Sequence, residues 1–543
     1  MAIDHSSSPG SNNIPLDIEP DFDAAEYCDR YNRLVAAADD LMVDAMLLTR
    51  HEDFAWACGY KSHGMPFEVL VIPNSARAAS SPPFFTTRLL ENSNAENLPW
   101  IKDLFPYSDA QDPIETFINA LRQRNLADNV TLGIQLEFLS AKRYFALQQG
   151  LPSVKFVDCS RKVESYRVVR SPKEIEHFKN SAKLTEAGVS AGLAALQVGV
   201  TENEIAAAVF NQIAGTHDDS RWPAYPPFVA LGPYAIRCHR TFEGHRCTGV
   251  TRFADGTEEP GQLLFLEVGA SYKGYHTSMM RTAFVGDVIP EWLSEAESLL
   301  QEAVSTCIAM LKPGVLPSDV DRAAREILGR RTFEAEQLGR TGYTIGAGFS
   351  PDWSDADFSL VGTERRPLRE GQVFHLIPYL QTKYGAIGLS ETVLVTADGG
   401  QQLTGLLIPR NIWHVKPTVS PKRCDTPASS ESEPERSDTP VTVRMLTRSN
   451  ASGSEGEDDD DLVRKEKPAL PMVQPRLIGE DGKLSDKKHM KPPNPPVANT
   501  APLLSVAVAS LVVDPETPRS PKRSVNQAVG ARCGSARVTT RAC

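Results

Sequence analysis

The stretch Gly261-Gln-Leu-Leu-Phe-Leu-Glu267-Val-Gly269-Ala-Ser-Tyr-Lys-Gly274-Tyr275-His276-Thr-Ser278-Met-Met-Arg281-Thr282-Ala-Phe-Val-Gly286 decides how the chain is read. A β-rich apolar arm runs into a turn with glycine, and a second apolar arm returns and ends on glycine. That is the pattern of a β-hairpin. Glu267 interrupts a Leu-Leu-Phe-Leu run. A carboxylate there is costly to bury unless it is paired or holds a proton. Two readings stand: an edge strand with one face in water, or a carboxylate kept for chemistry.

Working outward, 543 residues suggest about three domains by length. The net charge of −12 argues against nucleic-acid binding by the chain as a whole. Nine cysteines lie scattered without CxxC pairs, the usage expected of reduced, intracellular thiols. The first residues lack the basic and apolar regions of a signal peptide, and no apolar run is long enough to span a bilayer. These features predict a soluble, cytoplasmic protein with no membrane partner.

Residues 1–20 read as a disordered polar arm. From 21 to 165, helical and strand signals alternate. Helices are expected at 26–42, 113–123 and 140–149, and strands at 44–49, 67–73, 131–135 and 154–158. This is the pattern of a small α/β domain. A second domain, 166–417, opens with Ser171 as N-cap, Pro172 in the first turn and Glu174 three residues past the cap. Within it, Gly199-Val-Thr201-Glu-Asn-Glu204 and Gly314-Val-Leu-Pro-Ser318-Asp-Val-Asp321 form an internal repeat. Each turns at glycine after a long helix and offers a hydroxyl cap three residues ahead of an acid. Two such units, each followed by β-rich sequence, suggest a pseudo-twofold α+β domain. Residues 418–543 are rich in Ser, Pro, Thr and charge and read as a disordered low-complexity tail. Basic clusters in it raise a nuclear address as an alternative to a solvated tail.

The hairpin resembles that of the creatinase, prolidase, aminopeptidase P and methionine aminopeptidase family. Metallopeptidases there carry an Asp, a second Asp eleven residues on, and an Arg three further. Glu267, Ser278 and Arg281 hold that register here. The resemblance implies the pita-bread α+β fold, preceded by a smaller creatinase-type α/β domain, and a homodimer. It also implies a histidine just before the hairpin that handles protons: His239, with His245 as the alternative. Imidazole suits that task because it titrates near neutrality. An ordinary loop histidine is the other reading.

At the family's remaining metal positions stand Tyr343 in Gly342-Tyr-Thr-Ile-Gly346, Ile377 before Pro378, and Glu391 after Ser390. With Ser278, Tyr343 and Ile377 in place of ligands, the expectation is no metal and no cofactor. Glu267, Tyr275-His276, Gly342 to Gly346, Pro351-Asp352-Trp353 and Phe374-His375 resemble the metal-free ectoine-hydrolase branch over about residues 25–415. That resemblance implies hydrolysis of a C–N bond in a small zwitterionic amidine or guanidine. Glu267, His239 and Glu391 would be catalytic. Tyr343, His375, His276, Arg240, Arg281 and Trp353 would bind substrate, with Arg281 equally able to brace the hairpin. An Xaa-Pro metallopeptidase and a non-catalytic binding module are the alternatives.

Overall fold

The structure, a computed structural model, describes residues 20–62, 66–96, 98–215, 220–221, 223, 225–237, 240–349 and 352–417. The predicted arm before residue 20, His239, Pro351 and the tail 418–543 lie outside the described residues.

The first half is a six-stranded sheet in the order Asp103–Leu104, Phe84–Thr86, Val69–Pro73, Ala45–Leu48, Thr131–Ile134, Lys155–Asp158. Strand side chains alternate between its two faces. Ala45, Leu47, Val69 and Val71 pack with Phe117, Leu121 and Leu147. Met46, Leu48, Leu70 and Ile72 pack on the other face with Leu34, Phe54 and Trp56. The helix expected at 113–123 forms at those bounds. Asp112 caps it and Pro113 occupies its first turn.

The second half is built on a ten-stranded sheet whose centre is the hairpin, Gln262–Tyr272 paired with Tyr275–Val285. Its two-residue turn, Lys273-Gly274, has positive φ at both positions, the geometry that matches strand twist. Gln262–Tyr272 is no edge strand, since Phe228–Leu231 pairs along its other side. Tyr275–Val285 continues into Gly342–Phe349, then Val373–Leu376, Glu391–Thr396 and Gly399–Gln402. Two helix pairs, Pro172–Ala194 with Glu202–Ala214 and Glu291–Met310 with Pro317–Leu328, supply the helical layer. Leu264, Leu266, Val268 and Ala270 bury against Leu184, Val189 and Leu193 of the first pair. By alternation, Phe265, Glu267 and Gly269 face the other way.

Both expected capping boxes of the first helix pair are present, at Ser171 with Glu174 and at Thr201 with Glu204. The second copy departs from that expectation. Its helix begins at Pro317 with Leu316 as an N-cap that makes no side-chain bond. Asp321 instead accepts from Thr341 Oγ1 at 2.6 Å and pairs with Arg325. Proline's fixed φ started that helix a residue before the serine.

The two halves are tied by buried ion pairs. Arg167 pairs with Asp53 of the first half at 2.7 Å and with Asp355 of the second, and Arg170 Nη1 meets Asp355 at 2.6 Å. Burial pushes the Asp355 carboxyl up, but the two guanidiniums overcome it and hold the pKa at about 2.

Candidate active site

On the face of the hairpin away from the helices lies a cavity of about 370 Å³. Glu267, Phe265 and Met280 line it from the hairpin, and Tyr225, Phe228, Tyr343 and Trp353 supply aromatic walls. Arg237, Arg240, Arg340 and Asp352 bring charge to it. Tyr225 meets the Trp353 ring edge-on at 4.9 Å. Trp353 reaches its place because Gly269 carries no side chain: a Cβ there would collide with the indole.

Glu267 sits opposite Met280 on one side and Phe228 on the other, and its open side faces the cavity. Loss of hydration lifts its pKa to about 7, while the nearby Ser278 hydroxyl pulls it the other way. That hydroxyl is buried without a hydrogen bond in good geometry, so its pull is weak and desolvation wins. The result is a carboxyl poised to take and give a proton near neutrality.

Beneath Tyr343 runs a buried chain of hydrogen bonds. Trp353 Nε1 donates to Tyr343 Oη at 2.8 Å, and Tyr343 Oη lies 3.1 Å from His375 Nδ1. His375 Nε2 lies 2.8 Å from Ser390 Oγ, which accepts the Met280 backbone N–H at 2.6 Å. Burial lowers the His375 pKa to about 3, so this imidazole is neutral.

Several expected site residues lie elsewhere. Glu391 is fully buried on the opposite side of its strand from Ser390. It accepts from Arg281 Nη2 and from Thr404 Oγ1, each at 2.8 Å. Ser390, the residue immediately before that strand, is the one that reaches His375, and Glu391 is placed away from the cavity wall. Arg281 is off the cavity too. It donates to the Met280 and Ser390 carbonyls at 2.8 and 2.9 Å. His276 is buried, with Nδ1 3.3 Å from the Gly346 carbonyl oxygen, and does not line the cavity. His375 supports Tyr343 from behind and does not reach the cavity surface. Glu267, Tyr343, Trp353 and Arg240 do line it, with Arg240 also ion-paired to Glu243. His245 binds the buried Glu202 at 3.1 Å and stacks on Tyr234.

Arg340 carries no signal in the sequence. It lies in a Gly339-Arg-Thr loop that reads as an exposed turn, yet its guanidinium stands 4.0 Å over the Tyr343 ring at the cavity. Tyr225 was also missed, because its place on the wall depends on long-range packing against Trp353.

A two-metal centre needs several carboxylate and imidazole donors on one wall. Ser278, Tyr343 and Ile377 provide none of that set, Glu391 is turned to Arg281 and Thr404, and no cluster of three His, Cys, Asp or Glu forms among the described residues. The donors present do not fit the metal pair of the peptidases this fold resembles.

The family model described as Metallopeptidase family M24 matches residues 176–397, and the Creatinase/Prolidase N-terminal domain matches 30–169. The chain therefore carries an M24 domain preceded by a creatinase/prolidase N-terminal domain. Among relatives, ectoine hydrolase of Halomonas elongata is 24% identical over 409 residues, covering 72% of this chain and 98% of that protein. Xaa-Pro dipeptidase of Lactobacillus helveticus is 26% identical over 327 residues, covering 59% and 83%. The prolidase structure from Thermococcus sibiricus superposes with a TM-score of 0.61 at 17% identity, over 72% of this chain and 99% of that one. The fold is the pita-bread architecture of these proteins, with the creatinase-type domain ahead of it. No described helix is long and apolar enough to cross a membrane.

Proposed function

We propose that this protein hydrolyses a C–N bond in a small zwitterion bearing an amidinium or guanidinium, without a metal ion. The observation that carries the reading is Glu267, a carboxyl on the hairpin wall of an aromatic cavity that also holds Asp352 and Arg340. A planar delocalised cation suits the carboxylate and the rings. The guanidinium of Arg340, or of Arg240, suits the ligand's own carboxylate. Ectoine, a cyclic amidinium carboxylate, has both groups, and the resemblance to ectoine hydrolase supports it as the first candidate.

A pKa near 7 favours Glu267 as a general base over a nucleophile, since a carboxylate nucleophile gains from a low pKa. Glu267 takes a proton from water as the water oxygen adds to the amidinium carbon. It returns that proton to the leaving nitrogen as the C–N bond breaks. The remaining hydroxyl proton passes to the released amine, so amidinium and water become amide and ammonium.

The test is to incubate purified protein with ectoine, hydroxyectoine, creatine and a Gly-Pro dipeptide and to identify products. Ring-opened or deguanidinated product supports the reading. Cleavage of Gly-Pro alone would replace it with the dipeptidase activity that the Lactobacillus relative's name carries.

A further inference from the structure

We propose that Tyr343 acts as a one-way hydrogen-bond donor into the cavity, held in that role by His375 as its Nδ1–H tautomer. The assignment follows from counting protons along the buried chain. An indole nitrogen only donates, so Trp353 Nε1–H occupies one acceptor position of Tyr343 Oη at 2.8 Å. At the other end, Ser390 Oγ already accepts the Met280 N–H at 2.6 Å. If His375 carried its proton on Nε2, Ser390 would accept a second N–H. Its own buried hydroxyl proton would then have no acceptor among the described residues, a costly state. With the proton on Nδ1 every group is satisfied. Ser390 O–H donates to Nε2 at 2.8 Å, and Nδ1–H donates to Tyr343 Oη at 3.1 Å.

Tyr343 Oη then accepts twice, and its own hydrogen must leave the chain. The open side of Tyr343 is the cavity, whose wall it shares with Glu267. Burial first, and the Glu267 charge second, push the phenol pKa up, so the proton stays on oxygen. Resting on the hydrolase reading, the acceptor we assign is the oxygen that water adds to the reacting carbon. Tyr343 hydrogen-bonds to it while Glu267 draws off the water proton and the oxygen takes on hydroxide-like charge, and Tyr343 gives up no proton. His375 and Trp353 are positioning residues, and Tyr343 is a catalytic one.

Two measurements on the full-length protein test this. In protein labelled with ¹⁵N-histidine, the resonances that vanish in His375→Asn belong to His375. They should show a protonated Nδ1 and a bare Nε2 that do not titrate between pH 5 and 9, limits chosen as about two pH units either side of neutrality. An Nε2–H tautomer or an imidazolium would overturn the assignment whether or not any substrate is turned over. The second measurement splits kcat from KM on whichever compound is hydrolysed. Tyr343→Phe should lower kcat by about 10²-fold with KM within about threefold, as expected for a donor used in the transition state. His375→Asn keeps an amide N–H at the Nδ1 position and should retain far more kcat than His375→Ala. Equal loss in the two His375 variants, or unchanged kcat in Tyr343→Phe, overturns the proposal. If no compound is hydrolysed, the hydrolase reading fails while the tautomer measurement still decides the hydrogen-bond polarity. Should Tyr343→Phe fail to fold, Trp353→Phe removes one of the two donors to Tyr343 and should lower kcat, beyond any change in KM from the altered cavity wall. No change there counts against the chain.

Discussion

Arg281 donates through Nη2 to Glu391 Oε1 at 2.8 Å, with both side chains sealed from solvent. The carbonyls of Met280, Ser390, Ile408 and Pro409, the Thr404 hydroxyl and the Arg410 guanidinium complete the cluster. Its geometry suits a brace between the hairpin and the strand Glu391–Thr396. Removing one charge from a buried pair leaves the other uncompensated. Glu391→Gln should therefore cost roughly 2–4 kcal/mol in a denaturant melt, with kcat of the folded fraction within about threefold of the parent. A variant of full stability that has lost turnover would return Glu391 to the chemistry.

Metal dependence separates the proposed reaction from that of a peptidase. Chelator treatment should leave turnover intact, and elemental analysis should find no stoichiometric Zn, Mn or Co. The reason lies in the residues: Ser278, Tyr343 and Ile377 lack the carboxylate and imidazole donors a two-metal centre requires, and Glu391 is engaged by Arg281. Activity abolished by chelator and restored by Mn²⁺ would reverse this conclusion.

Residues 418–543 should be dispensable for folding and catalysis. They offer no periodic apolar face with which to dock on a core. A protein ending at Pro417 should melt and turn over like the full chain. Aggregation or lost turnover of the shortened protein would show that the boundary is misplaced.

Local signals read well from the sequence. The helix at Pro113–Gln123, the Ser171 capping box and the hairpin each depend on residues a few positions apart, and the structure forms all three. Facing was harder. A shift of one position at the start of the Glu391–Thr396 strand separates Ser390, which reaches His375, from Glu391, which meets Arg281. The same limit applied to Arg281, whose spacing from Glu267 fits the family motif but cannot say that it turns toward Glu391. Arg340 and Tyr225 were invisible for another reason. They reach the cavity through packing against Tyr343 and Trp353, residues distant from Tyr225 in sequence or hidden in a loop's geometry.

Glu267 bears the most weight, and its raised pKa makes two linked forecasts. As a general base it must be ionised, so kcat/KM should climb as pH rises through about 7 and then level off. Stability should move the other way. Below the ordinary carboxylate value of 4.5 the group is protonated in both folded and unfolded chains, and its burial carries no charge penalty. Between 4.5 and about 7 the unfolded chain releases a proton that the folded one keeps, so stability falls as pH rises across that window. Above it the penalty is constant. Glu267→Gln removes the titration while keeping size and hydrogen bonding. Turnover should drop by at least about two orders of magnitude, the scale of a lost general base. At pH 8, above that window, the variant should melt later, gaining about 1–3 kcal/mol, with the gain vanishing near the low-pH limit of 4.5. A carboxylate that merely faced solvent would change neither quantity, and one that anchored the hairpin would lose stability along with turnover. Wild-type turnover in Glu267→Gln would end the mechanism proposed for this cavity.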